Sequence, residues 1–291
     1  MISKRPLVAL GFLLPALVVY GLLILYPLVN GLWLSFTDSS GGPRADFVGL
    51  EQYLRLFTDG EVIRAVGTTV VYAVIVVVFQ NLFGLLLARA LYNRPRIRKP
   101  VSVLILMPTL VAPVMASFIF SYLYAPDGTI NEVLRTLGLD SLTRIWLGET
   151  GTALGAVALV NIWMFAGYSA AIFLAGYLAL PADVLEAADL DGATGFRRFR
   201  TIEWPLLAPS LTVNVTLSLI GSLKVFEFPF VLTNGGPAGS TTTLTLLVYR
   251  KVFGGAGEFA YGVTIAVLLL VIVVVLSSVA TSILRMREKR I

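Results

Sequence analysis

The sequence predicts an all-α, polytopic membrane protein with six transmembrane helices. Of its 291 residues, 57% are hydrophobic and 13% are charged, and the mean hydropathy is +0.86. A soluble domain of this size has about a quarter of its residues charged. The apolar residues are gathered in runs of about 20, the length that crosses a bilayer. Low charge and long apolar runs together indicate an integral membrane protein.

The six predicted spans follow from these runs, and they form one domain over residues 1–291. Prolines inside several spans are tolerated in a membrane, because neighbouring helices can satisfy the freed backbone groups. The first run is too long for the apolar core of a signal peptide, so we expect a retained first helix. The spans are expected at about 7–35, 66–91, 101–124, 152–178, 206–232 and 260–284.

The distribution of Lys and Arg predicts the orientation of the spans. If both termini and the loops 89–99 and 179–205 lie on one side, that side carries 14 basic residues and the opposite loops carry 7. Because Lys and Arg favour cytoplasmic loops, both termini and the 179–205 loop are predicted to be cytoplasmic. The net charge of +5 is explained by this topology, so no nucleic-acid partner is predicted.

Absent residue types limit the chemistry that the chain can perform. The sequence has no cysteine and no histidine, which excludes a disulfide framework, a thiolate nucleophile and the usual zinc ligands. No metal site and no catalytic residues are predicted. The sequence also lacks a Gly-Lys dipeptide, and therefore contains no G-x-x-x-x-G-K-[ST] phosphate-binding loop.

The stretch EAADLDGATGFRRFRTIEWP, Glu186 to Pro205, is a polar insert between two apolar spans. Asp183 is suited to cap a short helix, Glu186 to complete its capping box and Gly192 to end it. Thr194 can cap a second short helix, which Pro205 is expected to close. Helices this short are marginal alone in water. The insert is therefore expected to rest either on the membrane surface or on another protein.

The same insert resembles the "EAA" signature of binding-protein-dependent ABC importer permeases. The matching positions are Glu186, Ala187, Ala188, Gly192, Ile202 and Pro205, with Asp191-Gly192-Ala193 as the D-G-A of the family and Trp204 where the family usually has leucine. A second segment, LTNGGPAGSTT from Leu232 to Thr242, resembles one common in the carbohydrate-uptake branch, in the first membrane subunit of maltose and glycerol-3-phosphate importers. By itself the glycine pair and proline would indicate only a turn after a helix.

This resemblance implies a type I ABC importer permease fold, with a cytoplasmic coupling helix, in a bacterial inner membrane. It implies as partners a second homologous permease subunit, two ATPase subunits that use ATP and Mg²⁺, an extracytoplasmic solute-binding protein, membrane lipid and a sugar substrate. The chain itself would bind no cofactor and would not be an enzyme. In the family, the first signature helix fits a cleft on the ATPase subunit. The residues implied in this ATPase coupling are Glu186, Ala187, Ala188, Asp191, Gly192 and Arg197.

Polar residues that interrupt the spans 152–178 and 206–232 are candidates for the substrate path. In the first of these spans, Asn161 and Tyr168 are seven residues apart and share one helical face, with Trp163 nearby; the candidates in the second span also share one face. Their amides, hydroxyls and aromatic rings suit sugars, and the alternative is that they form hydrogen bonds between helices. The family's sugar contacts fall on the same two helices. The candidates are Asn161, Trp163, Tyr168, Asn214, Ser218 and Ser222, with Gly221 on the same face.

Lys224 and Glu227 are charged residues inside a predicted span, and their i, i+3 spacing predicts an intramembrane ion pair. A structural pair or gate contact is favoured over substrate binding, since Lys near a helix end can also reach the interface. Other functions remain open. They are a permease of the same family for glycerol-3-phosphate or another polar solute, an ion-coupled secondary transporter, and, more remotely, a membrane enzyme, channel or scaffold.

Overall fold

The computed structural model describes residues 5–255 and 257–288, and these residues are mostly helical. The prediction of an all-α chain is confirmed: within these ranges the only strand-like pairing is an isolated bridge between Thr37 and Phe47. The helices are α1 (Arg5–Tyr20), α2 (Tyr26–Leu34), α3 (Glu51–Thr58), α4 (Gly60–Tyr92), α5 (Pro95–Leu106), α6 (Pro113–Leu123), α7 (Thr129–Thr136), α8 (Ala153–Leu178), α9 (Ala182–Leu190), α10 (Gly195–Arg198), α11 (Trp204–Leu206), α12 (Ala208–Leu223), α13 (Glu227–Thr233), α14 (Leu244–Phe253) and α15 (Phe259–Glu288).

Four helical stretches in the described residues are long and apolar enough to cross a membrane, or up to six if each of two bent helix pairs is one span. The four unbroken stretches are Phe12–Leu34, Gly60–Tyr92, Ala153–Leu178 and Phe259–Glu288. They correspond to four of the predicted spans. Of the basic terminal residues used to predict orientation, Lys4, Lys289 and Arg290 lie outside the described residues.

The predicted span 101–124 is broken rather than continuous. Pro95–Leu110 and Pro113–Leu123 meet at a bend of 94°. The helical region is disfavoured for a residue before proline, and Ala112, which precedes Pro113, is extended with φ −64° and ψ 137°. The break therefore falls at a proline.

The predicted span 206–232 is also interrupted, once at its beginning and once between residues 223 and 227. Gly195–Leu206 and Ala208–Leu223 meet at a bend of 70°, where Pro209 in the first turn of α12 cannot donate a backbone hydrogen bond. At the other end, α12 stops at Leu223 and α13 begins at Glu227. The span is thus a helix, a short non-helical stretch and a second short helix.

Two π-helical segments each end just before a proline. In Gly21–Leu25 the register shifts so that Tyr26 N–H donates to the Gly21 carbonyl, directly ahead of Pro27. In Phe199–Glu203 the Trp204 N–H donates to Phe199 in the same way, ahead of Pro205. Such a shift re-satisfies backbone groups that proline would leave free. The prediction that Pro205 closes the second helix of the insert is therefore wrong, because this helix continues to Leu206.

The described residues group into two compact units. One comprises those within Met1–Ile63 and Leu247–Leu268, and the other those within Arg64–Leu246 and Leu269–Ile291. The single domain over residues 1–291 stays a prediction.

The first unit contains a cluster of ion pairs in which only Glu61 belongs to a candidate span, at the first turn of α4. Lys251 Nζ lies 2.8 Å from Glu258 Oε2 and 3.3 Å from Glu61 Oε2, and Arg55 also pairs with Glu258. The hydrogen bond from Lys251 lowers the pKa of Glu258; burial opposes this effect and Arg55 reinforces it. Glu258 therefore stays ionised and ties the 247–268 segment to the N-terminal segment of this unit.

Helix α8 lies in the core of the second unit. Of the residues in its apolar 18-residue stretch, 67% are buried, compared with 11% for the corresponding stretch of α15. Close packing depends on glycine at one position in particular. A Cβ atom on Gly167 would overlap the backbone carbonyl of Ile105 in α5. Only glycine allows these two backbones to approach so closely.

We expect Gly167→Ala to destabilise the chain by about 1–3 kcal/mol, because α5 and α8 must separate to admit the methyl group. Gly155→Ala is the matched control, since it lies in the same helix and nothing is within 4 Å of its Cβ position. Thermal unfolding in detergent compares the two variants. Equal melting temperatures for both would contradict the packing role of Gly167.

Candidate functional site

A cavity with several polar side chains in its lining lies inside the second unit, between helices of the candidate spans. Its volume is about 370 Å³. The lining comes from α4, α6, α8, α12 and α13 and from the non-helical stretch between α12 and α13. The lining residues are Gln80, Pro113, Asn161, Phe165, Tyr168, Ser169, Asn214, Leu217, Ser218, Gly221, Ser222, Lys224, Val225, Glu227 and Phe228.

The cavity brings together five of the six predicted substrate-path residues from two different helices. Asn161 and Tyr168 come from α8, and Asn214, Ser218 and Ser222 come from α12. Each set falls on one side of its helix, so it forms one stripe along that helix. Both stripes contribute to the wall of the same cavity.

Trp163 does not line this cavity, contrary to its grouping with Asn161. Two residues further along a helix lie about 200° around its axis, so Trp163 points away from Asn161. Its ring instead packs edge-on against Phe120, with the centroids 5.1 Å apart.

Several lining residues also join the helices to one another. The Asn161 side-chain amide donates to the Tyr72 hydroxyl at 2.9 Å. The Asn81 amide donates to Ser218 Oγ at 2.9 Å, and Asn214 donates to a backbone carbonyl of α8 at 3.2 Å. The same side chains therefore line the cavity and form hydrogen bonds between helices. Tyr168 is 44% exposed and is more open to a solute.

Gln80 is a lining residue that the sequence reasoning missed. Its side-chain amide donates to Ser169 Oγ at 2.9 Å, and Gln80 is buried in the middle of α4. A polar pair, Gln80 and Asn81, inside the apolar run 66–91 was the available signal. Polar residues buried in membrane helices face other helices or a cavity rather than lipid.

Lys224 and Glu227 both line the cavity, but the structure does not join them in the predicted ion pair. No ion pair within 4.0 Å involves either residue in the described part of the chain. The i, i+3 prediction assumed a continuous helix, whereas α12 ends at Leu223, with Lys224 as its C-cap residue, and Glu227 begins α13. Both residues are exposed. The cavity therefore has one cationic and one anionic side chain in its wall.

The polar insert contains helix α9, which exposes most of the residues predicted to act in coupling. The side chains of Leu185, Ala188 and Ala193 are buried against the rest of the chain. The opposite face presents Glu186 and Ala187, and Leu190 is 90% exposed at the tip. Asp191, Gly192 and Arg197 are exposed as well.

The first helix of the insert starts differently from the prediction. Pro181 is the N-cap residue and no side chain caps α9, so Asp183 lies in the first turn and the capping box with Glu186 is wrong. Asp183 still carries negative charge near the positive end of the helix dipole. Thr194 stands at the N-cap position of α10, but its side chain makes no capping hydrogen bond.

The end of α9 agrees with the sequence prediction. Gly192 has a left-handed φ of +69°. Its N–H donates to the Asp189 carbonyl, and the Ala193 N–H donates to the Ala188 carbonyl. This bonding pattern is a Schellman motif. None of the described residues lies within 4 Å of a Cβ atom at position 192, so glycine is needed there for the backbone conformation and not for packing against them.

Broken apolar helices around a polar cavity, together with an exposed polar loop, are features of a membrane transport subunit. Residues 80–291 match the family described as binding-protein-dependent transport system inner membrane component. The chain is 34% identical over 282 residues to the probable ABC transporter permease protein YurN of Bacillus subtilis (strain 168), covering 95% of this chain and 96% of that protein. This chain belongs to the family of binding-protein-dependent transport system inner membrane components.

Other relatives and solved structures agree with this assignment. The chain is 33% identical over 283 residues to the trehalose/maltose transport system permease protein MalF of Thermococcus litoralis, covering 96% of this chain and 95% of that protein. It is similar in fold to a chain of a bacterial ABC transporter involved in the import of alginate, with a TM-score of 0.84, 23% identity, and coverage of 97% and 96%. The fold is therefore that of an ABC importer permease.

Proposed function

We propose that this chain is a membrane-spanning subunit of an ATP-driven sugar importer, forming half of the translocation path. The observation that carries the proposal is the cavity, where amide, hydroxyl and aromatic side chains from two helices converge. Such groups match the hydroxyls and ring faces of sugars. The names of the relatives agree, since they include permeases for trehalose/maltose, starch degradation products and lactose.

The charged groups in the cavity favour a saccharide without net charge. Lys224 would attract an anionic substrate, but Glu227 in the same wall would repel it. Glycerol-3-phosphate or another polar solute is the alternative within the same family. An ion-coupled secondary transporter is less favoured, because the exposed α9 surface would then have no role.

Energy would enter through the polar insert. With no phosphate-binding loop in its sequence, the chain would not hydrolyse ATP through such a loop; as a permease subunit it would not be an enzyme and would hold no cofactor. Two separate ATPase subunits would use ATP and Mg²⁺. Glu186, Ala187 and Leu190 would meet an ATPase subunit, and Gly192 would form the corner that lets α9 protrude. The exposed face of α9 supports this placement.

The remaining partners follow from the same proposal. A second homologous permease would complete the path, an extracytoplasmic solute-binding protein would deliver the sugar, and lipid would surround the spans. The chain would be multi-pass in the bacterial inner membrane, with both termini cytoplasmic.

Co-purification tests the proposal directly. The chain, tagged and expressed with its neighbouring transport components, should carry with it a second permease and two ATPase chains. Proteoliposomes containing this complex and its binding protein should accumulate labelled neutral sugars only when ATP is supplied to the ATPase subunits. Uptake by the chain alone, driven by an ion gradient, would instead support the secondary transporter.

Asn161→Ala is expected to lower sugar uptake several-fold while assembly with the ATPase subunits survives. Tyr72→Phe is the matched control, because it removes the hydrogen-bond partner of Asn161 without altering the cavity lining. Ser218→Ala is expected to act like Asn161→Ala. Uptake should be measured at several sugar concentrations. If Tyr72→Phe reduced uptake as much as Asn161→Ala, the amide would serve helix packing and not the substrate.

A further inference from the structure

Glu203 is a buried carboxylate in the polar insert, with only 8% of its side chain exposed. Its Oε1 lies 3.3 Å from Nε of Arg198, and its Oε2 lies 3.6 Å from Nε of Arg89. A buried charge without a partner would cost several kcal/mol. Glu203 has two guanidinium partners, and they come from different helices.

The ion pairs continue beyond Glu203 in both directions. Arg198 also pairs with Asp189 of α9, with Nη1 2.7 Å from Oδ1. Arg89, in the last turn of α4, donates to the Gly195 carbonyl at 2.9 Å and lies over the Phe199 ring at 4.5 Å. A continuous series of charged groups therefore joins α9, through Arg198, Glu203 and Arg89, to the end of α4.

This series is the main polar link between α9 and the rest of the second unit. The apolar contacts of α9 are small, since of its own residues only Leu185 and Ala188 are buried. Two other arginines of the insert, Arg197 and Arg200, are exposed and have no ion pair in the described part of the chain. The arginines of the insert thus differ: Arg198 belongs to a connected set around the buried Glu203, whereas Arg197 and Arg200 are exposed and outside it.

We propose that Glu203 is a positioning residue that makes α9 and the end of α4 move as one body. The inference rests on the proposed function, in which ATPase subunits push on α9. Oε2 of Glu203 and Nε of Arg198 have no hydrogen-bond partner among the described residues, so the link is Coulombic. The attraction of one buried carboxylate for two guanidinium groups adds to the few small apolar contacts of α9. Displacement of α9 then reaches α4, whose Gln80 lines the cavity. Without Glu203 the insert still docks on the ATPase subunit, but a displacement of α9 no longer displaces α4.

The absence of native cysteine provides a specific assay that needs no knowledge of the substrate. Tyr168→Cys places a thiol at an exposed position of the cavity lining. In the assembled complex in nanodiscs, its rate of modification by a water-soluble thiol reagent is followed by mass spectrometry of this chain. The rate is measured without nucleotide and with ATP, Mg²⁺ and vanadate. A nucleotide-dependent change reports that the ATPase state reaches the cavity.

In the Tyr168→Cys background, we expect Glu203→Gln and Arg198→Gln to abolish most of the nucleotide-dependent change while ATPase subunits still co-purify and hydrolyse ATP. Arg200→Gln is the matched control and should keep the full change. Asp189→Asn, at the solvent-exposed end of the series, should give an intermediate loss without threatening folding. If Glu203 had a purely structural role, its replacement would lower assembly with the ATPase subunits and ATP hydrolysis as much as it lowers the nucleotide-dependent change in thiol modification.

The outcomes separate two kinds of failure. If the complex with Glu203 intact carries no ATPase subunits, the proposed function is wrong. If that complex responds to nucleotide and both Glu203→Gln and Asp189→Asn respond equally, the positioning role is overturned. The positioning role is also overturned if Arg200→Gln loses as much of the response as Arg198→Gln. If Glu203→Gln does not assemble, Arg198→Gln and Asp189→Asn decide the question.

Discussion

Replacement of Gly192 by proline is expected to abolish ATP-dependent uptake by the assembled transporter. Proline fixes φ near −65° and has no N–H, whereas Gly192 has φ +69° and donates to the Asp189 carbonyl. The corner after α9 cannot form, so α9 cannot present its exposed face. We expect uptake to fall by at least about 100-fold, since the motif that ends the helix is lost entirely. Proteoliposome uptake and ATPase assays measure the effect.

Gly192→Asn is the matched control for this prediction. Asparagine tolerates the left-handed region at modest cost, and the site is open to a side chain. Gly192→Asn should therefore retain most uptake. Glu186→Lys alters the exposed face of α9 without altering the corner, and it should lose most uptake. Both Gly192→Pro and Glu186→Lys should still insert in the membrane. Normal uptake by these two variants would exclude α9 as the site of ATPase docking.

Gly221→Trp is expected to block transport by filling the cavity. Gly221 lines the cavity, and none of the described residues lies within 4 Å of its Cβ position, so a side chain there begins in open space. An indole group would take up part of this cavity, whose volume is about 370 Å³. We expect uptake to fall by at least about tenfold, because a pocket whose volume is occupied can no longer enclose its ligand. Basal ATP hydrolysis and assembly should persist.

Gly67→Trp provides the control for the bulk of tryptophan. Gly67 lies in α4, is exposed, is equally free of neighbours at its Cβ position, and does not line the cavity. Its variant should transport normally. Full uptake by Gly221→Trp would mean that the sugar does not pass through this cavity.

Much of the candidate site could be predicted from the sequence because the signals are local. The left-handed residue that ends α9 is marked by glycine, and the polar stripes on α8 and α12 are marked by helical spacing. Asn161, Tyr168, Asn214, Ser218 and Ser222 were found in this way and line one cavity. Trp163 was included by proximity in sequence, and the helical turn places it elsewhere.

Residues whose role depends on a distant partner could not be assigned in the same way. Glu203 looks like an ordinary surface charge in the sequence, and only the folded chain places Arg89 beside it. Likewise, Gln80 is paired with Ser169 across two helices. The ion pair of Lys224 and Glu227 was predicted from helical spacing, and the break after Leu223 removes that spacing.

The sequence alone determined that the chain is helical and membrane-spanning, where its apolar runs lie, and that the insert turns at Gly192. Hydropathy and backbone preference depend on a residue and its near neighbours in the chain, so they can be predicted from the sequence. The tertiary structure decided the angles at the broken spans, the shape of the cavity, the separation of Lys224 from Glu227 and the burial of Glu203. These features depend on which helices meet, and burial and pairing are set by residues far apart in the chain.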